Sequence, residues 1–168
     1  MELSQPAVEF HQSFLEVWQG EDIGEGHGMS LDLAEGLDLN QPRDFAQWVR
    51  KLIDEERTPQ PGRVPSTNLW MTEDSTYLGS IQLRHNLGTE YLRTRGGHVG
   101  YTVRSSSRGQ GLATAALMQL LPLARERGLE KLLVTCLEAN PASARVIEKA
   151  GGVYEMTTGG LRRYWVSL

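Results

Sequence analysis

The hydrophobic pattern of the first third of the chain predicts two amphipathic helices separated by a long acidic loop. Between residues 6 and 18 the apolar positions form an imperfect helical stripe. From residue 44 to residue 57 they recur at intervals of three and four, and Asp44 is the predicted N-cap of this second helix. The segment between the helices is rich in glycine and acidic residues, which predicts a loop with one short helical turn near residues 31–35.

The rest of the chain alternates apolar segments that predict strands with two further helices. Strands are predicted at residues 2–4, 67–72, 76–84, 98–103, 131–137, 153–156 and 161–166. A third helix is predicted at residues 111–127, where Pro122 should bend it without dividing it. A fourth begins after Asn140 and ends at Gly151-Gly152. This order predicts a single α/β (α+β) domain over residues 1–168, with a mixed, mostly antiparallel sheet and one parallel pair, 98–103 with 131–137.

Composition narrows the class of protein. The 168 residues are 39% hydrophobic and 23% charged, as in soluble globular proteins. No apolar segment approaches the roughly 20 residues of a membrane span, and the first residues lack a signal-peptide pattern. The single cysteine, Cys136, excludes an internal disulfide. We therefore expect a cytoplasmic protein without a membrane partner, and the net charge of −4 argues against a nucleic-acid partner.

Charge is divided unevenly along the chain. Residues 1–57 carry thirteen acidic and four basic side chains, a net charge of −9, whereas residues 58–168 carry eight acidic and thirteen basic ones, a net charge of +5. The acidic part could attract a cationic substrate, or it could consist of ordinary solvated helix faces. Arg84, His85 and Arg95 leave open a third possibility, that the substrate brings an acidic group of its own.

The clearest functional motif stands between a predicted strand and a predicted helix, at Arg108-Gly109-Gln110-Gly111-Leu112-Ala113-Thr114. Glycine lets the main chain approach a pyrophosphate closely, and the unpaired N–H groups of a helix start attract anions. No Walker A string occurs. The dinucleotide-binding pattern GxGxxG does not fit, because Thr114 stands where its third glycine should be. The sequence also lacks the acidic residue that this pattern requires at a strand end about twenty positions further on. What fits is a third design: Arg or Gln, two residues, Gly, one residue, then Gly or Ala.

This motif resembles the acetyl-CoA-binding loop of the GNAT acetyltransferase superfamily. The resemblance covers roughly residues 64–166 and includes Asn140-Pro141-Ala142-Ser143, which opens a helix ending in IEKAGG. The alternative is that Asn140 and Ser143 only cap that helix. The strings LRHNLGTEYLRTRGGHVGYTVR, PLARERGL and RRYWV resemble, more narrowly, an uncharacterised bacterial GNAT group.

The resemblance implies a GNAT-like fold in which the strands on either side of the motif and its helix splay apart around acetyl-CoA. It implies an N-acetyltransferase in which the primary amine of a small molecule or peptide attacks the thioester directly. Members are often dimers, which leaves a homodimer open. The implied cofactor-binding residues are Tyr101, Val103, Arg108, Gly109, Gly111, Leu112, Ala113, Thr114, Asn140 and Ser143.

Two expected catalytic positions depart from the family pattern. The usual strand glutamate falls near Gly97, which leaves the neighbouring His98 as the candidate general base, although its side chain should point to the opposite face. The usual tyrosine acid falls on Ile147; the alternatives are Tyr101, Tyr154 and Tyr164. These departures keep open a non-catalytic acyl-CoA-binding module or sensor. The four histidines show no ligand spacing, so no catalytic metal is predicted.

Overall fold

The computed structural model describes residues 1–168. The strands and longer helices, in chain order, are β1 Glu2–Ser4, α1 His11–Gly20, α2 Pro42–Asp54, β2 Ser66–Glu73, β3 Thr76–Arg84, β4 Val99–Val103, α3 Leu112–Glu126, β5 Lys131–Leu137, α4 Pro141–Lys149, β6 Gly152–Thr158 and β7 Leu161–Ser167. None of the helices has both the length and the apolar character that crossing a bilayer requires.

All seven strands belong to one mixed sheet, in the spatial order β1-β2-β3-β4-β5-β7-β6. The only parallel neighbours are β4 and β5, so the predicted fold class and the predicted parallel pair are confirmed. These two strands are in register at a single position, Val99 opposite Val134, whereas β5 and β7 pair along seven positions. Beyond Val99 the parallel strands therefore diverge.

Each face of the sheet is covered by its own hydrophobic core. Helices α3 and α4 pack on one face, and α1 and α2 pack on the other. Because side chains alternate along a strand, Leu69 and Met71 of β2 enter the first core while Trp70 enters the second. The same alternation places neighbouring residues of β4 on opposite faces of the sheet.

The start of α2 differs from its prediction. The helix begins at Pro42, with Gln41 as N-cap and no side-chain cap. Proline at the first helical position has no N–H to satisfy and already has a helical φ angle, so the helix can start two residues before Asp44. The Asp44 carboxylate instead accepts a hydrogen bond of 2.9 Å from the N–H of Asp38. Pro122 lies inside α3, which remains one helix as expected.

Candidate functional site

A cleft of about 860 Å³ opens where β4 and β5 diverge. Residues 100–103 of β4 and 135–137 of β5 line its two sides. The starts of α3 and α4, the acidic loop after α1, the end of β3 and the segment that precedes β4 also contribute to the lining. Because β4 has no partner on this side after Val99, its edge is open to another extended chain.

The glycine turn forms one end of the cleft. Gly109 and Gly111 have φ angles of +78° and +80°, in the left-handed region that favours glycine, and no heavy atom lies within 4 Å of where their side chains would begin. None of the six backbone N–H groups from Gly109 to Thr114 donates a hydrogen bond within the chain. The turn thus exposes consecutive donors at the positive end of the α3 dipole.

Arg108 fastens the glycine turn to the acidic loop. Its Nη2 donates to the carbonyl oxygen of Asp22 at 2.7 Å, and its Nε donates to the carbonyl oxygen of Val103 at 3.1 Å. The Asp22 carboxylate lies 3.7 Å from Nη1. The predicted cationic group is therefore present at the cleft, with part of its charge offset by an acidic residue of the first third of the chain.

The start of α4 also lines the cleft. The Asn140 side chain accepts a hydrogen bond of 3.0 Å from the N–H of Ser143, as the capping alternative predicted. The Ser143 hydroxyl lies 2.6 Å from the hydroxyl of Tyr101 on β4. Burial raises the pKa of Tyr101 to about 12, against the lowering effect of Ser143, so this phenol is protonated at neutral pH. All ten residues expected to bind the cofactor line this one cleft.

His98 does not line the cleft. The ring nitrogen Nδ1 accepts a hydrogen bond of 2.8 Å from the backbone N–H of Leu133. The backbone N–H of His98 donates to the carbonyl oxygen of Leu133 at 2.7 Å. Burial, together with the charge of Arg84, lowers the pKa of His98 to about 4. The ring is thus neutral, its one basic nitrogen is occupied, and its geometry fits a tie between β4 and β5 rather than a proton acceptor.

Of the positions considered for the acid, only Tyr101 lies in the cleft. Ile147 is fully buried in the core beneath α4. Tyr154 and Tyr164 do not line the cleft, and the Tyr164 hydroxyl donates to Glu148 at 3.1 Å. Tyr101 is the one alternative tyrosine that the fold brings to the cleft.

Two side chains that sequence reasoning did not place in the site lie on the acidic loop. Glu25 and His27 line the cleft, and His27 Nε2 is 2.9 Å from a carboxylate oxygen of Glu25. The Thr102 hydroxyl of β4 donates to the carbonyl oxygen of His27 at 2.7 Å. Next to it, a Cβ on Gly28 would lie only 2.3 Å from the carbonyl oxygen of Gly100, so the loop rests directly on β4. The sequence signals were the length and acidity of this loop, which pointed to the side of the cleft that it faces but not to these two residues.

Glu21 anchors the base of this loop. Its carboxylate accepts hydrogen bonds from the side chain of Arg104 at 2.8 Å, and from the Ser105 hydroxyl and the Ser106 N–H at 2.9 Å each. Burial alone would raise the pKa of Glu21, but these hydrogen bonds outweigh it and lower the pKa to about 2. The loop is thus held to the segment between β4 and the glycine turn by an ionised carboxylate.

Comparisons with known proteins agree with this geometry. A family model described as an acetyltransferase (GNAT) domain matches residues 37–153, more than half of the chain. No curated protein sequence matches the chain significantly.

Three solved structures illustrate the likeness in fold. The GNAT domain of S. lividans PAT is 18% identical, with a TM-score of 0.63 over 99% of this chain and 89% of that one. A ribosomal-protein-alanine N-acetyltransferase from Brucella melitensis is 16% identical, with a TM-score of 0.61 over 100% of both chains. The PaiA N-acetyltransferase of Thermoplasma acidophilum, in complex with coenzyme A, is 14% identical, with a TM-score of 0.59 over 99% of this chain and 98% of that one. At these identities the likeness shows the fold alone.

Proposed function

Since this chain belongs to the GNAT acetyltransferase superfamily, we propose that it is an N-acetyltransferase that binds acetyl-CoA between β4 and β5. The acceptor is a primary amine of a small molecule or peptide. The observation that carries the proposal is the run of six N–H groups, Gly109–Thr114, without hydrogen-bond partners in the chain and next to an open cleft. Such donors at a helix start fit the pyrophosphate of coenzyme A.

The remaining predicted residues fit the rest of that molecule. The free edge of β4 between Tyr101 and Val103 can pair with the pantetheine amides, as an added strand pairs with a sheet edge. Asn140 and Ser143 would face the pantetheine or the adenosine, while Arg108 keeps a positive charge beside the glycine turn. When bound, acetyl-CoA supplies an activated acetyl thioester; the chain holds the amine against it, and such positioning contributes several kcal/mol.

His27 is the residue to which we assign the proton leaving the amine. It is the only imidazole that lines the cleft, and imidazole is the side chain best suited to accept a proton near neutral pH. Glu25 pairs with Nε2, which leaves Nδ1 to receive the proton and places a negative charge where the imidazolium forms. Tyr101, which stays protonated at neutral pH, is the corresponding donor to the departing thiolate.

The test joins a binding measurement to an activity measurement. Calorimetry with coenzyme A should show one site per chain, and acetyl-CoA with a panel of primary amines should release free thiol and yield N-acetylated products detectable by mass spectrometry. Absence of coenzyme A binding would overturn the proposal. Binding without amine-dependent thiol release would instead favour the acyl-CoA sensor, which the replacement of the usual acid by buried Ile147 supports.

A further inference from the structure

Arg84, at the end of β3, is a cation of the cleft that has no ionic partner in the chain. The side chain is partly buried, and desolvation lowers the pKa of its guanidinium. Nη1 donates to the carbonyl oxygens of Gly96 and Gly97 at 2.9 and 3.2 Å, but Nε and Nη2 donate no hydrogen bond within the chain. No carboxylate lies within 4.0 Å of it. A partly desolvated cation without a counter-ion is stabilised when an anion from outside binds to it.

The acidic residues on this side of the sheet do not supply that counter-ion. Asp32 and Glu55 are both paired with Arg63. Glu21 is engaged by Arg104 and the serines that follow it. Arg84 therefore keeps two donor nitrogens that no group of the chain uses, in the planar geometry that binds a carboxylate or phosphate.

Arg84 lies on the side of the cleft opposite the predicted cofactor-binding groups. Side-chain alternation places it, with Gly100, on the sheet face covered by α1 and α2, whereas Tyr101 points to α4. A Cβ on Gly100 would lie 3.3 Å from Nη2 of Arg84 and 2.9 Å from the backbone nitrogen of Gly28. The guanidinium and the loop that carries His27 thus meet over the one β4 residue that has no side chain.

A second cation reinforces the first. Arg95 lines the same cleft and forms no ion pair, and Tyr91 also contributes to the lining. Both come from the segment whose carbonyl groups at Gly96 and Gly97 hold Arg84. The cleft therefore has positive charge from this segment and β3, and negative charge from Glu25 on the facing loop.

We propose that Arg84, assisted by Arg95, binds a carboxylate or phosphate of the acceptor, whose amine is directed to His27. The acceptor is thus a compound with an amine and an anionic group a few atoms apart, such as an amino acid, a peptide end or an aminoalkyl phosphate. This rests on the acetyltransferase function proposed above and names its substrate class.

The test uses acceptor pairs that share an amine and differ in the anion: amino acids against their amides, and phosphoethanolamine against ethanolamine. With acetyl-CoA, the anionic member of at least one pair should have a kcat/KM about tenfold or more above its neutral partner. Arg84→Gln and Arg95→Gln should each reduce that ratio, and Arg84→Gln should bring it near one. Arg125→Gln, at an exposed position of α3 outside the cleft, is the matched control and should leave the ratio unchanged.

A binding arm separates this proposal from the proposed function. Titration of the coenzyme A complex with N-acetylated amino acids and their amides should show the same preference for the anionic member, and the same loss in the variants, whether or not any acceptor turns over. Equal binding and equal kcat/KM within every pair would overturn the anion site while leaving acetyl transfer intact. Coenzyme A binding with no binding or acetylation of any pair would also overturn it. Arg95→Gln, at an exposed position, keeps the test informative if Arg84→Gln does not fold.

Discussion

The two sides of the cleft are built in different ways. On the side of α3 and α4, the predicted binding groups are main-chain donors and a helix cap, which arise from neighbours in sequence such as Gly109, Gly111 and Asn140. On the side of α1 and α2, His27 and Arg84 come from distant segments, and the loop that carries His27 meets the Arg84 guanidinium at Gly100. Recognition by the backbone is therefore visible in a short motif, whereas recognition by side chains depends on how loops pack.

The acceptor side depends on long-range hydrogen bonds to hold its loop in place, whereas the shape of the glycine turn itself is set locally. Glu21 holds the loop to Arg104 and the serines after it, and Thr102 donates to the loop backbone. The glycine turn, in contrast, takes its shape from two positive φ angles. Substitutions should therefore damage the two sides separately.

Substitution of Gly111 by valine should abolish most of the coenzyme A binding on the cofactor side. A side chain at φ +80° would occupy the open space in front of the N–H groups, and we expect coenzyme A affinity to fall by about 100-fold or more in calorimetry. Gly128→Val is the matched control, because Gly128 also has a positive φ, +78°, and open surroundings but lies outside the cleft. Equal losses in both variants would mean that backbone strain, rather than the anion site, explains the effect.

On the acceptor side, His27→Gln should slow acetyl transfer without weakening cofactor binding. We expect kcat to fall by about 100-fold while coenzyme A affinity stays unchanged. His85→Gln serves as control, since His85 lies outside the cleft and is hydrogen-bonded to Thr67. A His27→Gln enzyme with wild-type kcat would remove His27 from the mechanism.

Gly28→Ala should separate the two sides by moving the loop. The new Cβ would lie 2.3 Å from a backbone oxygen of Gly100, so the loop must shift away from β4. We expect the KM of the acceptor to rise by about tenfold while the affinity for coenzyme A changes little. Gly36→Ala, also at a positive φ of +78° but with no neighbouring atoms, tests the strain alone and should leave KM unaltered.

The smallest effect concerns stability, at the tie between β4 and β5. Since the folded-state pKa of His98 is about 4, below its ordinary value, the unfolded chain binds more protons between the two values. Titration of His98 therefore makes the free energy of unfolding fall as pH is lowered through that range. At pH 7.5 the ring is neutral in both states, so its titration does not affect the free energy of unfolding there. In urea titrations, His98→Asn should weaken this dependence, because asparagine can still accept from Leu133 without taking up a proton.

The same variant bears on catalysis. If His98 is only a tie between the strands, kcat of His98→Asn stays within about twofold of wild type at pH 7.5, in contrast to His27→Gln. A loss of 100-fold would restore His98 as the general base that its sequence position suggested.

Features that depend on residues close together in the sequence were predictable, and features that depend on distant segments were not. Strand and helix positions were predictable from apolar periodicity, and the parallel pair from the helix between its strands. One exception is local: Pro42 starts α2 before Asp44, because proline suits the first helical position. The other is long-range: His98 stands beside Gly97 in the sequence, but its contact with Leu133 of β5 decides which way its ring nitrogen points.

By itself, the sequence determined the order of elements, the family and the glycine turn, since each depends on residues that are near one another in the chain. Only the tertiary structure decided that His27 and Arg84 share a cleft, that Glu21 fastens the loop, and that His98 is turned away. The physical reason is that these placements depend on contacts between distant segments, for which no short pattern of residues is diagnostic.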